Sequence, residues 1–363
     1  MTETPFVHLH VHSEFSLVDS TVRIPDLMSR CAEFGMPAVA LTDQNNLFGM
    51  VKFYKKALAT GVKPIIGADV LVADDDDPGR PFRLILLCKD NDGYRNLSRL
   101  ISRAFLEGQH RGVPLLNREW LEKSSCAGLI ALSAGMSGDI GRALVLGHKR
   151  QARARLQHWQ KIFDERFYLE LVRTGRTKEE NCVQLTLALA SETGVPVVAS
   201  NDVRFLDDDG YHAHEARVCI HEGRSLADPD RPRDYSKQQY LKTPAEMAEL
   251  FADAPEAIAN SVEIARRCNL DLTLGESILP AFPVPKGQNE EAFLASQAKL
   301  GLQRLLDKKF DVEDVPAKMR DAASAPYKQR LDSELRVICD MGFPGYFLIV
   351  ADFIRWAREN DVP

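Results

Sequence analysis

Residues 8–19, HLHVHSEFSLVD, set three of the chain's nine histidines at alternate positions, and Asp19 follows seven residues past the last of them. Alternation is the period of a β-strand, so His8, His10 and His12 are expected to project from one face. Imidazoles in a row with a carboxylate nearby are a donor set suited to a metal centre. A half-buried strand with incidental histidines would show the same spacing, but a third of all histidines within five residues argues against it.

Outward from this stretch, short apolar runs alternate with amphipathic ones: PAVALTD then LFGMVKFYKKALATG, FRLILLCK then YRNLSRLISRAFLEG, RFYLELVR then EENCVQLTLALASETG, and VPVVASND before a helical stretch from Tyr211. Such alternation predicts a parallel sheet wrapped by helices and closed, or nearly closed, as a barrel. Barrels of this type carry their chemistry at the C-terminal ends of the strands. His10, His12, Asp43, Asp69 and Asp202 fall at those ends.

Beyond Asp202 come a polar loop, DPDRPRDYSKQQY, a helix capped by Thr243 with Glu246 in its first turn, and the helical run EAIANSVEIARRC. The proline-rich segment ILPAFPVPKG is a break. The expected division is therefore a domain over 1–277, a linker over 278–289, and a helical region over 290–363 with helices near 290–308, 318–341 and 345–360. Asp74–Asp77 with Pro78-Gly79 reads as a surface turn, and Phe343-Pro344-Gly345 as a turn before a buried apolar helix from Tyr346 to Trp356.

The chain has 363 residues, is 45% hydrophobic and carries a net charge of −6, enough for a sizeable core. That charge argues against a surface that wraps nucleic acid throughout. Seven scattered cysteines without a CxxC pair suit reduced thiols. The start, MTETPFVHLH, lacks the features of a signal peptide, and no apolar run is long enough for a membrane span. A cytoplasmic protein with no membrane partner is expected.

A strand ending in HxHS and followed by SLVD resembles the opening motif of the PHP (polymerase and histidinol phosphatase) domain. VHLHVHSEFSLVDS, ALTDQNNLFGMVKFYKKA and KPIIGADV resemble the N-terminus of the alpha subunits of bacterial DNA polymerase III, the C family of replicative polymerases. Similar blocks continue in DNDGYRNLSRLISRAF, GLIALSAG, VVASNDVRF and QQYLKTPAEMAELF, and MGFPGYFLIVADFIRWARENDVP resembles the entry to that family's palm. The resemblance runs from Met1 to Pro363. It implies an α/β fold, a distorted (β/α)7 PHP barrel followed by a helical segment that begins the polymerase palm.

Active PHP domains bind up to three metals, and the resemblance carries ligand chemistry onto His10, His12, Asp19, Asp69 and Asp202, with Asp69 standing where Glu is usual. Four ligand positions differ: Gln44 and Arg83 replace histidines, Gly135 stands where Cys is usual, and Arg204 replaces the His of an NDxH motif. A guanidinium has no lone pair for a metal and repels one. Arg83 and Arg204 can instead pair with Asp19 and Asp202, which predicts a degenerate site with no or very weak phosphoesterase activity. One residual ion on His10, His12 and an aspartate is the alternative.

His8 is expected to support the strand face rather than bind metal. His212, His214 and His221 cannot easily share an ion along a helix and read as helix-surface residues. Asp43 and Asn45 read as braces of the barrel mouth or caps of the next helix.

By resemblance, the parent protein is a DNA-directed DNA polymerase, a nucleotidyltransferase using Mg2+ at carboxylates outside this region, so the region alone does not polymerise. The family further implies primer-template DNA, other replisome subunits and a proofreading exonuclease subunit as partners, the last docked by the PHP domain. A free-standing metal-dependent phosphoesterase and a built-in 3'-5' exonuclease are the rival readings. Both require ligands at Gln44, Arg83, Gly135 and Arg204.

Overall fold

The computed structural model describes residues 5–74, 79–276, 279–313 and 315–362. The chain divides into two compact units, Met1–Leu272 and Thr273–Pro363. Of the surface turn expected over Asp74–Gly79, residues 75–78 lie outside the described residues, as does the first linker residue, Ile278.

Strands β1 (Ala38–Leu41), β2 (Lys63–Val72), β3 (Phe82–Cys88), β6 (Leu129–Leu132), β7 (Phe167–Val172) and β8 (Val197–Ser200) form one curled sheet in the order β1-β2-β3-β6-β7-β8. The short strands β4 (Gln109–His110) and β5 (Val113–Pro114) make a separate hairpin. Residues 6–12 lie between the two edges of the large sheet. On one side Ala40 N donates to His8 O and Thr42 N to Val11 O, each at 2.8 Å. On the other, Val203 N donates to His10 O and His12 N to Val203 O, each at 3.0 Å. Six strands and this N-terminal segment thus complete the seven-membered barrel.

The sheet is mixed, where the sequence pattern led to the expectation of a parallel one. β1 with β2, β6 with β7 and β7 with β8 are parallel, but β3 runs antiparallel to both of its neighbours. Residues 73–81 are too short a connection for the crossover of about a dozen residues that a parallel neighbour needs. Reversal puts the N-terminal end of β3, with Arg83, on the rim where the other strands end.

Helices α1 (Ile24–Glu33), α2 (Met50–Thr60), α3 (Asn91–Glu107), α4 (Asp139–Val145), α5 (Lys149–Phe163), α6 (Glu179–Thr193), α7 (Tyr211–Glu222), α8 (Pro244–Leu250) and α9 (Pro255–Arg267) complete the first unit. In α3, Leu97, Leu100, Ile101 and Ala104 share one buried face, and the Asp90 side chain caps the helix by accepting from Gly93 N. The expected cap on α8 is present as a full capping box between Thr243 and Glu246.

Strand alternation divides the apolar residues in two. One set, including Phe53, Leu97, Trp159 and Leu169, fills the space between sheet and helices. The other, including Val7, Leu9, Ile65, Ile85, Leu87, Ile130 and Val198, fills the barrel and is joined by Ile264, Ala265 and Cys268 at α9. Farther along the inner faces of the strands, polar side chains take over from this apolar filling.

The second unit consists of α10 (Glu290–Val312), α11 (Ala317–Asp340) and α12 (Pro344–Glu359), at the three places expected. Its small core gathers Leu294, Leu335 and Leu348. The expected burial of the last helix is not seen: Tyr346, Phe347, Phe353 and Trp356 of α12 are exposed, because within the unit α12 packs chiefly on α10. Among the described residues no single helix is long and apolar enough to cross a membrane.

Candidate functional site

The histidine row is broken by a β-bulge. Three steps along the N-terminal segment, His8 to Val11, face two along β1, Ala40 to Thr42, so the alternation turns over between Leu9 and His10. His8 therefore does not share a face with the other two, contrary to the even spacing. Its Nε2 lies 2.8 Å from Lys242 O and its ring packs edge-on against Phe6, and burial pushes its pKa down to about 4. His10 and His12 enter the barrel mouth together, ring centroids 5.5 Å apart.

His10, His12 and Asp69 each place one potential ligand atom within 4.8 Å of the others. His10 Nδ1 lies 3.0 Å from Glu170 Oε1, and its Nε2 faces Asp202 Oδ1 at 3.3 Å and Asp69 Oδ2 at 3.6 Å. Burial alone would lower the His10 pKa, but Glu170, Asp202 and Asp69 raise it to about 10. His12 is held by Asp19 on Nδ1 at 3.0 Å and by Asp69 on Nε2 at 3.1 Å.

The two arginines at lost ligand positions enter this cluster. Arg204, fully buried, donates from Nε to Asp202 Oδ1 at 2.9 Å and from Nη1 to Asp19 Oδ2 at 2.5 Å, and Nη1 also meets His12 Nδ1. Arg83 donates through Nη1 to Asp69 Oδ2 and through Nη2 to Gln44 Oε1 at 2.9 Å, with Asp19 Oδ2 at 3.5 Å. Burial favours the protonated form of each carboxyl. Even so, Arg204 holds Asp19 and Asp202, and Arg83 holds Asp69, below the usual carboxylate range.

Every sequence-expected position except Gly135 thus brings a side chain to one place. Gly135 supplies backbone alone: it has φ +50° at the turn after β6, and a Cβ there would stand 3.2 Å from the Val172 side chain. Asp43 braces the mouth as expected, accepting from Ser13 N at 2.6 Å, Ser13 Oγ at 2.9 Å and Ser16 Oγ at 3.0 Å.

Sequence reasoning missed Glu170, Tyr235 and Gln239. Glu170 is the lone carboxylate in the wholly buried strand FYLELV, a signal that was available. Tyr235 donates to Asp19 Oδ2 at 3.0 Å and Gln239 to Asp202 Oδ2 at 2.9 Å, both from the loop after α7. His214 corrects an expectation: it is buried rather than on the helix surface, with Nε2 3.0 Å from Asp19 O and its ring edge-on to Tyr235.

The donor set does not fit a metal as arranged. An arginine N–H points at His12 Nδ1, which Asp19 also flanks, and His12 Nε2 faces the Asp69 oxygen, so neither ring nitrogen stands clear for an ion. The Asp69 oxygen nearest both histidines also accepts from Arg83. His10 is flanked by carboxylates on both nitrogens and favours its protonated, non-ligating form. Guanidinium charge occupies the positions where a cation would neutralise the carboxylates.

Residues 8–174 match the family model for the PHP domain, and residues 294–363 match that described as the bacterial DNA polymerase III alpha NTPase domain. The DNA polymerase III subunit alpha of Pseudomonas aeruginosa is 51% identical over 99% of this chain and 30% of its own length. Those of Vibrio cholerae, 48% identical, and Escherichia coli, 46% identical, align with 100% of this chain and 31% of theirs. The chain therefore spans just under a third of the length of these relatives.

Proposed function

Because the chain belongs to the family of bacterial DNA polymerase III alpha subunits, we propose that it is the N-terminal region of a replicative DNA-directed DNA polymerase acting in the cytoplasm. Its PHP barrel is proposed as a metal-free structural module that braces the polymerase and docks a proofreading exonuclease subunit. In this reading residues 278–289 link it to the start of the palm. In this reading nucleotidyl transfer, its Mg2+ and the primer-template DNA belong to the part of the relatives' length that does not align with these 363 residues.

The observation that carries the metal-free reading is Arg204 between Asp19 and Asp202, with Arg83 on Asp69. Two fixed cations balance carboxylates that would otherwise need metal charge, and truncating such a buried pair leaves an uncompensated ion. The His10–His12–Asp69 group supports a second reading, a single residual ion with weak phosphoesterase or exonuclease activity.

Elemental mass spectrometry of the chain purified without chelator separates the two. The metal-free module predicts no stoichiometric zinc, manganese or iron and a melting temperature unmoved by EDTA. One or more ions per chain, with a melting temperature lowered by EDTA, would overturn it.

A further inference from the structure

Helices α2 and α3 both pack on β2 from outside the barrel, and the seam between them is filled at one end only. Where α3 begins, residues 269–272, NLDL, lie across both helices. Asn91 Nδ2 donates to Asp271 O at 2.9 Å, Asp271 N donates to Asn91 Oδ1 at 3.1 Å, and Leu272 N donates to Tyr54 Oη of α2 at 3.3 Å. Leu270 and Leu272 are half-buried against the core, while Asp271 between them faces outward with Oδ1 3.4 Å from the Tyr54 hydroxyl. A short stretch alternating leucine with a carboxylate thus closes this end.

Where α3 ends, a groove of about 470 Å³ stays open between that helix and the loop before α2. Leu47, Phe48, Ile101, Phe105 and Leu106 form its apolar wall, and Phe48, Phe105 and Leu106 are exposed, the last by 82%. The loop is fixed: Asn46 Oδ1 accepts from Phe48 N at 3.0 Å, and Asn46 Nδ2 donates to Phe15 O at 3.0 Å and Gln44 O at 2.9 Å. Phe48 is therefore held out in water by a bonded turn, and apolar surface presented on a rigid frame gains by being covered from outside.

The charge beside the groove points to what covers it. In a chain of net charge −6, α2 and α3 carry six cations, Lys52, Lys55, Lys56, Arg95, Arg99 and Arg103, against two anions, Asp92 and Glu107. Both anions are engaged, Asp92 with Arg95 at 3.2 Å and Glu107 with Arg103 at 2.8 Å. Arg99 stands three and seven residues before the groove residues Ser102 and Leu106, hence on their face of α3, and Lys55 stands one turn past the exposed Val51 on α2. We propose that the open end of the seam is a docking site for a short segment of another protein in which large apolar side chains alternate with carboxylates. Its apolar side chains would cover Phe48, Phe105 and Leu106, and its carboxylates would face Lys55 and Arg99, as NLDL does with one carboxylate at the other end. Binding here requires neither an empty metal site nor the polymerase assignment.

The test is fluorescence polarisation on this chain with three labelled peptides: one alternating Asp with Leu and Phe, the same peptide with Lys for each Asp, and the same with Ser for each Leu and Phe. The first is expected to bind and to weaken as salt is added, and the other two to bind at least about tenfold more weakly. Phe48→Ser with Leu106→Ser should weaken the first peptide about tenfold or more at an unchanged melting temperature, whereas Ile220→Ser, an equally exposed apolar position on α7, should leave it as it was. No binding of the first peptide, equal binding by the double variant, or equal binding of the Lys peptide overturns the site. Light scattering supplies the last arm: a dimer of this chain that the double variant splits would give the groove to a second copy and overturn the acidic partner.

Discussion

Arg204 and Asp19, 185 residues apart in sequence, meet at 2.5 Å inside the barrel with both side chains buried. The same guanidinium holds Asp202 through Nε at 2.9 Å. One side chain therefore ties the N-terminal segment that closes the barrel to the strand end after β8. Arg83, 3.5 Å from Asp19, and Arg176, 3.4 Å from Asp202, approach the same two carboxylates from farther off, and Tyr235 and Gln239 add neutral donors.

Arg204→Met should destabilise the first unit by roughly 3–5 kcal/mol, because it takes the nearest cation away from two buried carboxylates. At this size that is about 10 °C in melting temperature, read by circular dichroism. Arg204→Lys should fall between, keeping the charge and losing the fork. A melting temperature unchanged in Arg204→Met would mean that the pair contributes nothing to stability.

The pH profile should show opposite limbs. Asp19, Asp69 and Asp202 titrate below their ordinary value in the folded chain, so their contribution is full above the unfolded carboxylate range, near 4, and is lost as pH falls below it. His10, raised to about 10, contributes fully below 6.5, and that part is lost as pH climbs from 6.5 towards 10. His8, lowered to about 4, subtracts stability as pH falls from 6.5 to 4. Urea midpoints across pH should therefore decline on the alkaline side, and His10→Gln should flatten that decline. A variant that keeps the full alkaline slope would assign it elsewhere.

Much of this was legible in the sequence, and the failures are specific. Local apolar runs placed the strands and helices, because burial of alternate or fourth residues writes itself into composition. The direction of β3 depended on the length of one connection. The bulge at Leu9–His10 leaves no compositional trace, so His8 was placed on the wrong face. His10, His12, Asp19, Asp69 and Asp202 were found because a motif carries them, whereas Tyr235, Gln239 and His214 arrive from a loop and a helix whose return to the barrel mouth no local pattern encodes.

The seat of α3 makes a prediction about the fold alone. A Cβ on Gly93 would lie 1.9 Å from Gly128 O, and Gly128 itself holds φ +72°. Gly93→Ala must push α3 off the turn before β6 and should cost about 1–3 kcal/mol, despite alanine's better helix propensity. A stability equal to or above the parent in urea would show that the helix can shift without loss.

If guanidinium charge is what keeps metal out, removing it and supplying imidazoles should let metal in. Arg83→His and Arg204→His together take two fixed cations away from His10, His12 and Asp69 and place neutral nitrogen donors at the positions that ligate in the PHP family. Asp69 Oδ2 and His12 Nδ1 are then freed of the N–H groups now directed at them. The double variant should bind at least one zinc or manganese per chain by elemental mass spectrometry, and the ion should raise its melting temperature. Each single variant leaves one guanidinium in place and should bind far less. The experiment separates charge from geometry: a folded double variant that takes up no metal would show that the missing ligands at Gln44 and Gly135, rather than the arginines, set the limit.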